Sequence, residues 1–314
     1  MATHILTADP THSFWSPDLA PRLTIAPGDT VHFACHDASG GQVTPASTVE
    51  DFLAIDRDRI HALTGPVFVE GAEPGDVLEV NILEVAHKGW GWTSTIAGLG
   101  FLDQRFTEPS LFHWKLEGDV SRSLAPAVLP LRPFCGVMGV APAEAGRYKT
   151  RPPGPFGGNM DVRDLTAGAT LYLPVFNSGA LFSCGDAHAA QGDGEVCING
   201  IECPADATLR FELHKAGTVK GTLEAPLIEA PEPSPAPEGL WTVVESAADA
   251  LDAARAATSR MVDLLASRWG FTPLEAYLLC SVAMDLRLAQ VVNRPMITVA
   301  ASIPKHILPR RRIF

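Results

Sequence analysis

Leu171-Tyr172-Leu173-Pro174-Val175-Phe176-Asn177-Ser178-Gly179-Ala180-Leu181-Phe182, apolar and β-branched residues interrupted by proline and glycine, reads as strand, turn, strand. The next stretch, Ser183-Cys184-Gly185-Asp186-Ala187-His188-Ala189-Ala190-Gln191-Gly192-Asp193-Gly194-Glu195, sets acids and an imidazole among glycines. The polar residues are therefore expected where a buried strand ends. Asp186 and His188 are two apart, so on an extended backbone both project from one face, the spacing that one metal ion or a paired acid and base requires. Gly192 and Gly194 let the chain turn back at positive φ and return Asp193 or Glu195 towards the same point. A carboxylate not used as a ligand would serve there as a base. For a bare D-x-H the simpler account is an Asx-type turn with an incidental histidine on a surface hairpin.

Outward from this stretch the chain continues as short strands. Leu23-Thr24-Ile25 and Val31-His32-Phe33 alternate between Pro and Gly turns. Val77 to Val85 carries apolar residues on both parities, which predicts a strand buried partly on both faces. Leu129 to Val140 reads as a Pro-bounded apolar strand, and Val196 to Ile201 and Ala207 to Leu213 as closing strands. Thr48 to Ile60 suits a short helix. Gly89 to Phe101, with Trp90 and Trp92, fits either a loop rimming a pocket or part of the core.

A change of architecture is marked by Pro226 to Pro237, whose alternating prolines predict an extended connector. Beyond it, Leu251, Ala254, Thr258, Met261 and Leu265 give Ser246 to Arg268 one apolar helical face, and Gly270 ends the helix. Thr272-Pro273-Leu274-Glu275 is a capping box with proline at the first helical position, opening a second helix. Its body, Ala276 to Met284, is apolar all round and so expected to be buried, while Asp285 and Arg287 read as an ion pair. The expected fold is mainly β, a β-sandwich or jelly-roll-like body with a smaller C-terminal α+β helical part. The expected division is a β-rich catalytic domain with metal-site loops over 1–222, then connector and helical part over 223–314.

With 314 residues, 46% of them hydrophobic, the chain can bury a full core. Acidic residues outnumber basic ones, 36 to 24, and the one dense basic run is Pro309-Arg310-Arg311-Arg312, which argues against a nucleic-acid surface. Cys35, Cys135, Cys184, Cys197, Cys203 and Cys280 show no C-x-x-C spacing, so reduced thiols and a cytoplasmic location are expected. No apolar run is long enough to span a bilayer, which predicts neither secretion nor membrane insertion.

Gly185 to Glu195 resembles the G-D-x-H-A-x-x-G-D-G-E motif of the acetamidase/formamidase family. Gly157-Gly158-Asn159-Met160-Asp161 is similar to its G-G-N-M-D motif, and Thr64 to Asp76 to its T-G-P-I-x-V-E-G-A-E-P-G-D segment. Asp37-Ala38-Ser39-Gly40-Gly41-Gln42 resembles a further motif of the family. Four ordered segments are far more specific than one short pattern. The resemblance implies hydrolysis of the C–N bond of a small linear amide such as formamide or acetamide, giving carboxylate and ammonia. It favours Asp161 as a third donor beside Asp186 and His188, with Asp37 near, a mixed set suited to Zn²⁺, or to Ca²⁺ or another divalent ion. Within the motifs, Asn159 is taken as a substrate contact and Glu195 as the general base; His36, just outside its motif, is a weaker candidate, and Glu70 reads as a hydrogen-bonded turn residue. Expected partners are the small amide and a second copy of the chain, the all-apolar helix being the reason for a homodimer, with no nucleic acid and no membrane. Two alternatives stay open: a thiol amidase using Cys135 or Cys184, and a metal-stabilised β-sandwich that binds a small ligand without catalysis.

Overall fold

Phe33, Phe182 and Phe211 meet with ring centroids 5.1 to 6.2 Å apart, and the strands that carry them belong to two facing sheets. The computed structural model describes residues 1–218, 223, 226–229, 240–290 and 297–310, and these form two compact units. The first is built from 1–88, 133–188 and 203–232, the second from 89–132, 189–202 and 233–314.

In the first unit a six-stranded sheet runs in the order Thr3–Leu6, Thr30–Cys35, Ala205–His214, Val77–His87, Thr170–Pro174, Leu227–Glu229. A five-stranded sheet runs Gly157–Asn159, Phe134–Gly139, Phe182–His188, Leu63–Val69, Leu23–Ile25. The phenylalanines join the two sheets, and Thr64 Oγ1 crosses between them to donate to the Ala34 carbonyl at 2.8 Å. This is the mainly β, sandwich-type body that the sequence predicts.

Val77–His87 differs from its reading. Its buried residues are Leu78, Val80, Ile82 and then Val85, because Glu84 pairs with Thr208 while Ile82 pairs with the adjacent Leu209. Leu83 is thus the extra residue of a bulge and is exposed. One face is buried throughout, and the bulge shifts its parity by one residue.

In the second unit, Trp90–Thr95 and Ser110–Lys115 form an antiparallel pair, so the Trp90 region is strand rather than loop. A three-stranded antiparallel sheet, Leu240–Ala247, Ile297–Pro304 and Asp285–Gln290 in spatial order, packs against the helix Ala250–Trp269. Asp249 caps this helix through the N–H groups of Leu251 and Asp252, and Gly270 ends it at φ 82°, the left-handed cap that glycine adopts without Cβ strain. Ala254, Thr258, Met261 and Leu265 are buried as predicted, whereas Leu251 is exposed. The helix Pro273–Ala283 has its capping box and is buried from Ala276 onward.

Val196 to Ile201 is not a strand. The Cys197 N–H donates to Ser281 Oγ, and the Asn199 and Gly200 carbonyls accept from Ser281 and Thr93 hydroxyls. Side chains thus take backbone groups that a ladder would use. Asp285 accepts from the Asp193 N–H rather than pairing with Arg287, which is exposed. The alternating-proline segment from 230 to 239 and the arginines from 311 onward lie outside the described residues. Among the described residues no helix is long and apolar enough to cross a membrane.

Candidate metal and active site

The strand Phe182–His188 lies at the centre of the five-stranded sheet, between Phe134–Gly139 and Leu63–Val69. Asp186 and His188 are its closing residues, so the polar cluster is part of the strand rather than its sequel. Strict alternation would put Cys184 on one face and Ala187, with its partner Cys135, on the other. Yet the sulfurs of Cys135 and Cys184 lie within 4.8 Å of each other. Asp186 breaks the alternation: its φ is 54°, a left-handed conformation that Asp tolerates better than most residues but that is uncommon outside glycine. The expected fully extended D-x-H is therefore kinked at its acid.

Asp161 is delivered from the neighbouring edge. Gly157–Asn159 pairs with Val137–Gly139, after which Met160 and Asp161 both donate their N–H groups to the Gly136 carbonyl, at 3.1 and 3.2 Å. Asp161 is also left-handed, at φ 49°. Gly136 stands directly under the group: a Cβ there would lie 2.4 Å from Asp161 Oδ1 and 2.6 Å from His188 Cε1. The absence of a side chain at 136 is what leaves room for the other two.

Asp161, Asp186 and His188 each place a donor atom within 4.8 Å of the others. His188 Nδ1 is 4.0 Å from Asp161 Oδ1, and His188 Nε2 is 3.8 Å from Asp186 Oδ1. These gaps exceed hydrogen-bond length. Two donors sharing one ion, each about 2.0 to 2.6 Å from it, are separated by up to about 4 to 5 Å. Asp186 and His188 are 2% and 1% exposed. Burial, and the Asp186 carboxylate second, push the Asp161 carboxyl up to about 7 against the opposing pull of His188, as expected of two acids sharing a low-dielectric site.

A residue absent from the sequence reading joins them. His61 Nε2 lies 3.8 Å from Asp186 Oδ2, while its N–H donates to Thr150 Oγ1 at 3.0 Å and its Nδ1 lies 3.3 Å from the same oxygen. Burial, then His188 and Arg151, lower its pKa to about 3, so the ring is neutral at pH 7. Its signal in the sequence was only its place three residues before Thr64.

The other candidates are placed as follows. Asn159 donates to the Arg151 carbonyl at 3.2 Å, and its Oδ1 is buried without a hydrogen-bond partner among the described residues. Asp37 accepts from Ser39 Oγ at 2.6 Å and from the Gly41 N–H at 3.2 Å. His36 reaches Asp9 at 3.2 Å, and Glu70 is exposed. Cys135 and Cys184 are fully buried. Glu195 belongs to the second unit, in a turn where its N–H donates to the Gly192 carbonyl at 3.2 Å and its φ is 42°.

A sequence profile described as the acetamidase/formamidase family matches residues 3–147 and 143–310. The chain belongs to that family. It is an amide hydrolase of the acetamidase/formamidase type, and two of the four segments that carried the resemblance, Gly157 to Asp161 and Gly185 to Glu195, supply the three residues of the cluster. Formamidase from Methylophilus methylotrophus is 30% identical, the match covering 71% of this chain and 68% of that protein. The acetamidase structure from Bacillus halodurans is 34% identical, with a TM-score of 0.68 over 96% of this chain and 97% of that one. The γ-lactamase from Delftia acidovorans superposes with a TM-score of 0.91, covering 99% of this chain and 94% of that one at 24% identity, which shows a common fold.

Proposed function

We propose that this family member hydrolyses small linear amides to carboxylate and ammonia with the help of one divalent ion held by Asp161, Asp186 and His188. The observation that carries the reading is the convergence of those three donors over the bare Cα of Gly136. The donor set fits: two carboxylates and an imidazole suit Zn²⁺, and Ca²⁺ or another divalent ion in its place. Two carboxylates facing each other in a buried site are costly, and a cation relieves that cost. When bound, such an ion lowers the pKa of water and polarises a carbonyl.

The protein's own groups supply the rest. Glu195, in the same motif as Asp186 and His188, is assigned as the base that takes a proton from water and returns it to the departing nitrogen. Asn159 offers its buried Oδ1 to an amide N–H of the substrate. Asp37 is read as a turn-capping residue that holds the Ser39–Gly41 loop, on the strength of its two short-range hydrogen bonds. The homodimer loses its sequence argument, since the Pro273–Ala283 helix is already buried in the single chain. The proposed division remains 1–222 as the β-rich catalytic part with the metal-site loops and 223–314 as connector and helical part.

The test is ammonia release from formamide, acetamide and larger amides, before and after chelation and after adding back Zn²⁺, with metal content measured. Activity lost with the metal and regained with it supports the reading; full activity in metal-free protein overturns it. Glu195→Gln is expected to cut turnover by about a hundred- to ten-thousand-fold, the usual value of general-base help, while leaving bound metal unchanged.

A further inference from the structure

Cys35, Cys135 and Cys184 come from three strands and from both sheets of the first unit, yet their sulfurs all lie within 4.8 Å of one another. They are 4%, 0% and 0% exposed, and none is in a disulfide. One buried cysteine is a small hydrophobe. Three whose sulfurs converge form a soft donor set. Sulfurs bound to one ion at about 2.3 Å sit about 4 Å apart, a separation this cluster already permits.

The convergence is built by the backbone. Cys184 pairs with Met138 on one side and Thr64 on the other, and Cys135 pairs with Ala187, which follows the left-handed Asp186 that interrupts its strand's alternation. Cys35, opposite Ala205 at the end of its strand, supplies the third sulfur from the facing sheet. No carboxylate or imidazole belongs to this group, so its chemistry differs from that of the Asp161, Asp186 and His188 cluster.

We propose that Cys35, Cys135 and Cys184 form a second metal site, specific for a thiophilic ion of the Cu⁺ or Cd²⁺ type that accepts three sulfurs. Thiolates select soft ions over Mg²⁺ or Ca²⁺. On binding, each S–H bond gives way to a sulfur–metal bond and the proton leaves to solvent, with no change of oxidation state. Because the three strands span both sheets, an ion bound there ties the sandwich together.

The probe is Cd²⁺ added to chelator-stripped, fully reduced whole chain, read by the ultraviolet sulfur-to-cadmium charge-transfer band and by melting temperature. The titration is run on folded protein and again with Cd²⁺ present during refolding, so slow entry into the buried site cannot hide binding. One equivalent is expected to saturate the band and raise the melting temperature. Cys35→Ser and Cys184→Ala are expected to abolish the band, while Asp186→Asn and Cys280→Ala keep it. No band under either regime overturns the site, as does a band that survives loss of Cys35 and of Cys184. Should the cysteine variants not fold, the wild-type result under the two regimes decides the question.

Discussion

Gly136 shows how one missing side chain sets the chemistry. Its carbonyl holds the Asp161 loop while its bare Cα makes room for Asp161 and His188. Gly136→Ala puts a methyl 2.4 Å from Asp161 Oδ1, so the loop or the imidazole must move. Overpacking of this kind costs about 1 to 3 kcal/mol. We expect a folded variant with little turnover and little bound metal, checked by urea unfolding alongside metal analysis. His61→Ala probes the residue that the sequence reading passed over. If His61 orients Asp186, turnover should drop at least about tenfold, a factor worth about 1.4 kcal/mol of barrier, with the far-ultraviolet spectrum unchanged; wild-type turnover would reduce His61 to packing.

The same contrast holds for whole elements. Thr272 Oγ1 accepts the Glu275 N–H, and the Glu275 carboxylate accepts the Thr272 N–H at 2.9 Å, so Thr272→Ala removes the hydroxyl arm of the box, leaving the backbone arm, at a cost of about 0.5 to 2 kcal/mol. Denaturant unfolding should show that loss with turnover intact. This helix, the Gly270 stop and the strand Thr170–Pro174 were legible because capping, termination and apolar runs are local signals. So were Asp161, Asp186 and His188, through their motifs. Local reading failed where a partner decides conformation: the bulge at Leu83 exists only in the register with Ala205–His214, and Val196 to Ile201 is held by hydroxyls from residues 82 to 107 positions away. The left-handed Asp186 and the approach of His61 are likewise products of tertiary packing, which spacing along the chain does not encode.

At the scale of the molecule, buried neutral imidazoles make stability depend on pH. His12 lies 2.9 Å from Ser183 Oγ and 2.8 Å from the Phe14 carbonyl, and burial, the largest cause, lowers its pKa from 6.5 to about 4. In that window the unfolded chain binds the extra proton, so the contribution is complete above pH 6.5 and is lost as pH falls towards 4. Unfolding free energies of wild type and His12→Gln between pH 4 and 8 should converge in acid; a constant difference would refute the assignment. The sheet order has another consequence. Ala205–His214 lies between Thr30–Cys35 and Val77–His87, and Phe182–His188 between Phe134–Gly139 and Leu63–Val69. On a translating ribosome the early strands emerge long before the neighbours that complete them, and their unpaired edges invite aggregation. Neither sheet can close until well over half of the protein has been made. The nascent chain is thus a natural client for holding chaperones, and a premature stop before residue 205 leaves both facing sheets without a finished core.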